Sequence, residues 1–537
     1  MRKAARCVGS AEVRAALLAG REIALLDARE EAVHATGHPL FAANLPLSRL
    51  EFETDERMPR RSVPIVVLDD GEGLAALAAD RLTALGYSDV SQLTGGLRGW
   101  REAGGELFRD VNAPSKAFGE LVESQRHTPS LSAAEVKALI DAGGGTVIVD
   151  VRPFDEYRTM NIPGAISVPG VELALRIGEI APDPRTRVVV NCAGRTRGII
   201  GTQSLVNAGV PNPVAALRNG TIGWTLAGYA LEHGAARRFP EVTPDARTRA
   251  AVPARRLAER AGVRRVGPET LNRWIARGDR TVYRFDVRTS EEYESGHLPG
   301  FRGAPGGQLV QETDFYAPVR GARLVLADDD SVRANMTASW LAQMGWSVFV
   351  IDELPAEARN EIGRWPSPLP PLPVLPAHSV VSAAEVLEWL KQEGGVVIFD
   401  LAPSGQYSRS HIPSSWFASR ADLARAREAA PDAARWVLTS PDGLAARFAW
   451  KEAAAIARRP LFVLEGGTAA WSRAGLPLVA SEPRHASEPI DRYRRPYEGV
   501  DVPAAAMQAY LDWEYGLVDQ LRRDGTHAFR VIQPEAS

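Results

Sequence analysis

Residues 187–200 read RVVVNCAGRTRGII. The apolar run at the start of this stretch ends at Asn191, a six-residue loop follows over residues 192–197, and a second apolar segment starts near Gly198. A short, valine-rich apolar run is typical of a buried strand, and the segment after the loop has the character of a helix. The stretch therefore predicts a strand, a tight loop and a helix, with Cys192 as the first loop residue.

A second apolar run precedes this stretch and ends at Asp150, 42 residues before Cys192. The same two-run pattern occurs three more times along the chain. Its pairs of end residues are Asp27 and Asp69, Asp286 and Asp328, and Asp400 and Ser440, with spacings of 42, 42 and 40 residues. A spacing that recurs in this way indicates internal repeats. The chain therefore contains four copies of one unit, and only the second copy has a cysteine at the shared position.

Each copy alternates strands with helices after an opening helix-like segment, such as LSAAEVKALIDAG from Leu131. Buried apolar strands that alternate with helices favour a parallel sheet with helices on both faces. The predicted fold class is therefore α/β, with four tandem domains. We place copies one to four at residues 1–110, 128–235, 262–362 and 378–480, followed by a tail at residues 481–537.

Three segments between the copies are predicted to be linkers. Residues 110–127 are mixed polar, residues 236–262 are rich in Arg and Pro and are interpreted as a solvated linker or helix, and residues 366–376 are proline-rich and extended. In the tail, apolar residues at helical spacing predict one amphipathic helix capped by Asp501. We expect this helix to pack on a neighbouring domain, with a dimer contact as the alternative.

The composition is that of an ordinary globular protein: 537 residues, 45% hydrophobic and 24% charged, with a net charge of −3. This charge gives no reason to expect nucleic acid or an acidic membrane as a partner. No apolar run reaches the about 18–20 residues that a membrane helix needs, and the N-terminus does not resemble a signal peptide. The two cysteines, Cys7 and Cys192, provide no disulfide framework and indicate a reducing, cytoplasmic location.

The loop of residues 192–197 has the features of a site for a reactive nucleophile. Backbone N–H groups of a short loop at a helix N-terminus converge on one point, and the helix dipole favours negative charge there. A cysteine at that point is expected to have a lowered pKa, because its thiolate is stabilised. Arg195 and Arg197 add positive charge, Thr196 offers a hydroxyl, and Gly194 allows close approach. We therefore predict that Cys192 holds a transferred group covalently.

The second copy resembles a rhodanese domain, and the whole chain resembles four such domains in tandem. Residues 150–169 (DVRPFDEYRTMNIPGAISVP) are similar to the family's segment from Asp-Val-Arg to Pro. Residues 192–197 resemble its six-residue active-site loop, and residues 219–224 (NGTIGW) its Gly-Gly-x-x-x-Trp segment. Asn161 and Asn219 depart from the family's usual His and Gly, but neither residue lies in the loop.

The resemblance implies sulfur transfer. A small-molecule donor such as thiosulfate would load a sulfane sulfur onto Cys192, and the persulfide would pass it to a thiol, to cyanide or to a protein acceptor. The loop residues that would bind the donor and the persulfide are Ala193, Gly194, Arg195, Thr196 and Arg197. The two arginines would attract an anionic donor. No metal or organic cofactor is required for this chemistry.

Other recurring positions of the frame are interpreted as structural. Asp150 and Arg152 are predicted to support the fold, with Arg152 paired to Asp150 or to Glu156. The copies without cysteine are predicted to be inactive, since a carboxylate would repel thiosulfate and a serine has no sulfur to form a persulfide. Their residues at the shared position are Asp69, Asp328 and Ser440.

Two other functions are compatible with the sequence. A phosphatase of the rhodanese fold would share the cysteine, but the loop of such an enzyme is typically one residue longer than residues 192–197. A non-catalytic scaffold or sulfur relay would use the cysteine-free copies to dock a partner protein. The physiological donor and acceptor and the oligomeric state are left open.

Overall fold

The computed structural model describes residues 6–351, 354–429, 432–480, 483–499 and 501–534. Each sequence copy forms one sheet, whose own strands are all parallel and lie in the spatial order first, fifth, fourth, second, third. Helices cover the sheets, because each strand is followed by a helix before the chain returns to the same sheet. The predicted α/β fold with four tandem parallel-sheet units is therefore confirmed.

The strands are short, and each sheet runs from edge to edge in the following order. Copy one has Arg6–Val8, Val90–Leu93, Ile65–Leu68, Ile23–Asp27 and Ala43–Asn44. Copy two has Ser130–Leu131, Val214–Leu217, Arg187–Asn191, Thr146–Asp150 and Ile166–Ser167. Copy three has Arg264–Arg265, Ser347–Val350, Arg323–Ala327, Val282–Asp286 and Arg302–Gly303. Copy four has Val380–Val381, Leu461–Leu464, Trp436–Thr439, Val397–Asp400 and Trp416–Phe417. The tail strand Arg484–His485 extends this sheet by pairing parallel with Trp416–Phe417.

The helices follow the same scheme in copies one, two and four. Copy three has two short helices after its third strand and, among the described residues, no α-helix after its last strand. Copy one has Ser10–Leu18, Glu31–His34, Leu50–Arg57, Leu74–Ala84 and Gly96–Glu102. Copy two has Ala133–Ala142, Phe154–Thr159, Glu172–Ile180, Thr196–Asn207 and Gly220–Leu226. Copy three has Pro268–Arg277, Ser290–Ser295, Gly306–Gln311, Thr313–Tyr316 and Arg333–Gln343. Copy four has Ala383–Leu390, Ser404–Arg409, Leu423–Ala429, Leu444–Ile456 and Gly467–Arg473.

The segment at residues 110–127, which the sequence predicted to be a linker, is a buried helix. It spans Ala113–Arg126, and we call it the central helix. Two of its charged residues are buried, and each has a partner: Lys116 forms an ion pair with Asp110 at 2.8 Å, and Glu120 forms one with Arg195. The mixed polar composition therefore reflects internal ion pairs, and the linker prediction is wrong.

The other segments between copies agree better with the sequence. Residues 236–262 contain the helix Pro244–Arg260, capped by the Thr243 side chain, which is one of the two predicted outcomes. Residues 366–376 contain neither helix nor strand.

The tail folds as two helices rather than one. Ala504–Tyr515, which we call the cap helix, is followed after Gly516 by Leu517–Asp524. Asp501 does not cap the first helix, because Pro503 occupies the N-cap position and the Asp501 carboxylate binds Arg494 instead. The predicted packing on neighbouring domains is observed, since the cap helix contacts both the central helix and Gly220–Leu226.

The copies also build on one another. The strand Val319–Arg320 of copy three pairs antiparallel with Ile23–Asp27 and so joins the sheet of copy one. One apolar cluster contains Leu26 of copy one, Phe118 of the central helix and Trp340 of copy three. Copies one and three therefore share a core. No helix in the described ranges is long and apolar enough to span a membrane.

Candidate functional site

The strand Arg187–Asn191 lies inside the sheet of copy two, between two parallel neighbours, and ends where the sequence predicted. Cys192 is the next residue, and the helix Thr196–Asn207 begins four residues later. The predicted helix start near Gly198 is therefore late by two residues. This arrangement places the Cys192 side chain at the carboxyl edge of a parallel sheet, beneath a helix N-terminus, which is where α/β proteins bind ligands.

The Cys192 thiol makes two contacts with the loop. Its Sγ lies 3.7 Å from the carbonyl oxygen of Arg195, and the backbone N–H of Gly198 donates to Sγ. A Cβ atom on residue 198 would lie 3.3 Å from Sγ, so glycine at this position gives the sulfur room. The thiol is thus held at the base of the loop, as the sequence predicted.

The expected lowering of the Cys192 pKa is wrong for this conformation. The side chain is only 2% exposed, and its burial raises the pKa of the thiol to about 11. The charge of Arg197 and the Gly198 N–H act in the opposite direction, while the nearby carboxyl of Glu514 adds to the rise. Desolvation outweighs the favourable loop electrostatics. The thiol is buried both by apolar residues of copy two, such as Val149 and Leu173, and by residues of the cap helix. The sequence could not reveal the second contribution, because the cap helix lies more than 300 residues away.

The two arginines of the loop are not free positive charges. Arg195 donates two hydrogen bonds to the carboxylate of Glu120, at 2.7 and 2.8 Å, and both side chains are buried. Arg197 donates two bonds to Glu156, at 2.8 and 2.9 Å. Each guanidinium is therefore balanced by a carboxylate.

The closing segment of residues 219–224 supports the loop from behind. The backbone N–H groups of Thr221 and Ile222 donate to the carbonyl oxygens of Cys192 and Ala193 at 2.9 and 3.0 Å. Gly220 has φ of 54°, and a Cβ on it would lie 2.2 Å from the Cys192 carbonyl oxygen, so only glycine fits there. Asn219 also has a positive φ of 63°, a conformation that Asn tolerates better than most residues.

Asp150 and Arg152 form a buried ion pair, which is one of the two pairings that the sequence left open for Arg152. Arg152 donates to the two carboxylate oxygens of Asp150 at 2.9 and 2.7 Å, and to the carbonyl of Met160 at 2.6 Å. Asn191 donates to the same carboxylate at 2.7 Å. These bonds join the ends of the strands Thr146–Asp150 and Arg187–Asn191, so the ion pair has a structural role. It does not contact the thiol.

The cap helix closes the site, which no sequence pattern predicted. Ala193 and Ile222 share an apolar cluster with Tyr497, Met507, Tyr510 and Leu511. The Arg195 guanidinium stacks on the Tyr515 ring, with its Cζ atom 4.1 Å from the centroid of the ring. The cavity left at Cys192 has a volume of only about 10 Å³, enough for about one water molecule. The only sequence signal was the amphipathic pattern of the tail.

In the three other copies, the residue at the cysteine position binds the loop backbone itself. Ala75 donates to Asp69 Oδ2 at 3.0 Å, Ala334 donates to Asp328 Oδ2 at 2.8 Å, and Ala446 donates to Ser440 Oγ at 3.4 Å. Each donor lies six residues after its acceptor, as Gly198 does after Cys192. The frame of the four loops is therefore the same, and the chemical group differs.

The fold and the loop define a class: an α/β protein built from four rhodanese-like units, one of which has a cysteine in its loop. Residues 10–103, 132–227, 268–353 and 382–474 each match the rhodanese-like domain family. These ranges cover more than half of the chain. The protein belongs to the rhodanese-like domain family, and the resemblance noted in the sequence is confirmed.

The chain is similar along its full length to a solved structure. A crystal structure described as thiosulfate sulfurtransferase from Pseudomonas aeruginosa is 61% identical, with a TM-score of 0.96, over 98% of this chain and 100% of that one. Two proteins of Mycobacterium tuberculosis, an HTH-type transcriptional regulator and SseB, are each 34% identical, over 106 and 125 residues. Each match covers 20% of this chain, and this chain spans less than half the length of either protein, 46% and 42%.

Proposed function

We propose that the protein is a sulfurtransferase that carries a sulfane sulfur on Cys192. The observation that supports this most directly is the loop of copy two, in which the Gly198 N–H donates to a thiol. In the other copies the equivalent N–H donates to a carboxylate or a hydroxyl. The full-length similarity to a structure described as a thiosulfate sulfurtransferase favours thiosulfate, or a related donor, as the source of the sulfur.

In this proposal the Cys192 thiolate attacks the outer sulfur of thiosulfate. A new S–S bond forms on Cys192, the S–S bond of thiosulfate breaks, and sulfite leaves with the electron pair. A thiol or cyanide then takes the outer sulfur, and the Cys192 thiolate is restored. The persulfide is an anion that needs hydrogen-bond donors. Within the described part of the chain, the backbone N–H groups of Ala193, Gly194 and Arg195 have no acceptor, so they are available for it.

In this proposal residues 128–235 perform the chemistry, and the copies at 1–110, 262–362 and 378–480 have a supporting role. We place the protein in the cytoplasm. The shared core of copies one and three, and the sheet joined by Val319–Arg320, support a structural role for the inactive copies. Thiosulfate is far larger than the cavity of about 10 Å³ at Cys192, so loading requires the cap helix to move. Docking of a partner protein by the inactive copies is the second candidate.

The proposal is tested by offering the purified protein thiosulfate with cyanide and, separately, an aryl phosphate. Thiocyanate formation that is lost in Cys192→Ser is expected. Phosphate release without thiocyanate formation would contradict the proposal and favour the phosphatase. The same assay in the presence and absence of a candidate acceptor protein separates the small-molecule acceptors from a protein acceptor.

A further inference from the structure

Glu514 of the cap helix reaches the loop of copy two and points into the cavity of Cys192. A Cβ atom on Gly194 would lie 3.2 Å from Glu514 Oε2, and the Thr196 hydroxyl lies 3.5 Å from Oε1. Tyr510, one helical turn earlier, donates its hydroxyl to Oε1 at 3.0 Å. Among the described residues, Oε2 has no hydrogen-bond partner, although the side chain is only 1% exposed.

This carboxyl group has no evident role in the fold. The cations Lys116 and Arg195, whose charges act on this carboxyl group, form ion pairs with Asp110 and Glu120 instead. A buried carboxyl oxygen without a partner costs stability, whereas an apolar side chain in the cluster around Met507 and Leu511 would not. Such a group at the mouth of a reactive loop is typical of a functional site.

We propose that Glu514 is the proton acceptor for the thiol that takes the sulfur from Cys192, an inference that rests on the proposed sulfurtransferase function. Glu514 is the carboxyl among the described residues that line the cavity, and its free oxygen faces the loop at Gly194.

The proposed step balances without a further reactant. The acceptor thiol gives its proton to the Glu514 carboxylate, and the resulting thiolate attacks the outer sulfur of the Cys192 persulfide. The S–S bond to Cys192 breaks, and Cys192 leaves as a thiolate. The proton on Glu514 then passes to the Cys192 thiolate, which restores the carboxylate and the buried neutral thiol. The acceptor departs as a persulfide anion.

The surroundings of Glu514 give it a pKa suited to this exchange. Burial, and the negative charge of Glu120 on the central helix, raise the pKa of Glu514 to about 8, while Lys116, the Tyr510 hydroxyl and Arg195 act in the opposite direction. A base works best when its pKa is close to the working pH. Transfer to a thiol should therefore become faster as the pH rises through about 8.

The test compares wild type and Glu514→Gln after loading with thiosulfate. Each loaded protein is mixed with 2-mercaptoethanol, which must lose a proton to react, or with sulfite, which has none to lose at pH 8. Loss of the persulfide is followed by mass spectrometry of rapidly quenched samples. We expect the ratio of the 2-mercaptoethanol rate to the sulfite rate to fall about 100-fold in Glu514→Gln. An unchanged ratio would overturn the inference.

A second variant makes the result independent of how well Glu514→Gln folds. Tyr510→Phe removes the hydrogen bond to Glu514 Oε1, which lowers the Glu514 pKa in wild type. The pH midpoint of thiol transfer should therefore move upward in Tyr510→Phe, with sulfite transfer as the reference. A midpoint that does not move contradicts the inference. If wild type takes up no sulfur from thiosulfate, that result contradicts the proposed sulfurtransferase function and not only the role of Glu514.

Discussion

Asp328 accepts a hydrogen bond from the backbone N–H of Ala334 across 2.8 Å, in the place where Cys192 of copy two receives the Gly198 N–H. The carboxylate thus occupies the position of the thiol in copy three. Burial and the charge of the neighbouring Asp330 raise the pKa of Asp328 well above its ordinary value. The loop of copy three is therefore built around carboxylates, and it differs from copy two in more than the absence of sulfur.

Introducing a cysteine into copy three should not create a second site. In the double variant Cys192→Ser with Asp328→Cys, we expect no uptake of sulfur from thiosulfate, because Asp330 remains in the loop and repels the dianion. Arg333, a cation in the same loop, is already bound by carboxylates: Glu172, Glu292, Asp329 and Asp330. Mass spectrometry of the intact protein checks this, and sulfur on residue 328 would show that the cysteine alone suffices.

The ion pair between Arg195 and Glu120 should stabilise the protein as well as the loop. Glu120→Ala leaves Arg195 charged and buried without a partner, so the free energy of unfolding should fall by about 3–5 kcal/mol. Glu123→Ala on the same helix is the matched control and should change it by about 0.5 kcal/mol or less. Urea unfolding measures both, and equal values for the two variants would contradict the assigned role.

Shortening Tyr510 should open the site. Tyr510→Ala removes a ring from the cluster that covers Ala193 and Ile222, so an alkylating reagent should reach Cys192 more easily and the thiol should be better hydrated. We expect alkylation of Cys192 by iodoacetamide to be about tenfold faster or more than in wild type, because a thiol that is less buried ionises more readily. The exposed Cys7 serves as the internal reference. Equal rates would mean that the cap helix does not limit access.

The reactivity of Cys192 in the closed protein should depend steeply on pH. Burial raises the pKa of its thiol to about 11, so the thiolate is the minor form below that pH and its fraction grows about tenfold per pH unit. Alkylation of wild-type Cys192 should therefore still be rising at pH 10. A rate that levels off below pH 8 would show that the thiol ionises readily, as the sequence had suggested.

Much of the frame could be predicted from the sequence, because it depends on local patterns. The apolar runs that end at Asp150 and Asn191 became neighbouring parallel strands, and the repeat spacing gave four equivalent loops. The pairing of Arg152 with Asp150 was one of two that the sequence left open, with Glu156 as the alternative, because both carboxylates are near Arg152 in the sequence.

The rest depends on contacts between distant parts of the chain. The ionisation of Cys192 depends mainly on its burial, to which the cap helix contributes, and the charge of Arg195 is balanced by Glu120 of the central helix. Neither partner is marked by a motif. The central helix was misread as a linker because its polar residues are paired inside the protein, where composition alone predicts exposure.

The most direct test of the account is the mass of the protein after treatment with thiosulfate. Wild type should gain one sulfur atom, located on the peptide that contains Cys192 and removed by a thiol, while Cys192→Ser should gain none and should unfold at a similar temperature. A wild type that gains no sulfur, or a Cys192→Ser variant that still gains it, would contradict the claim that Cys192 carries the transferred sulfur.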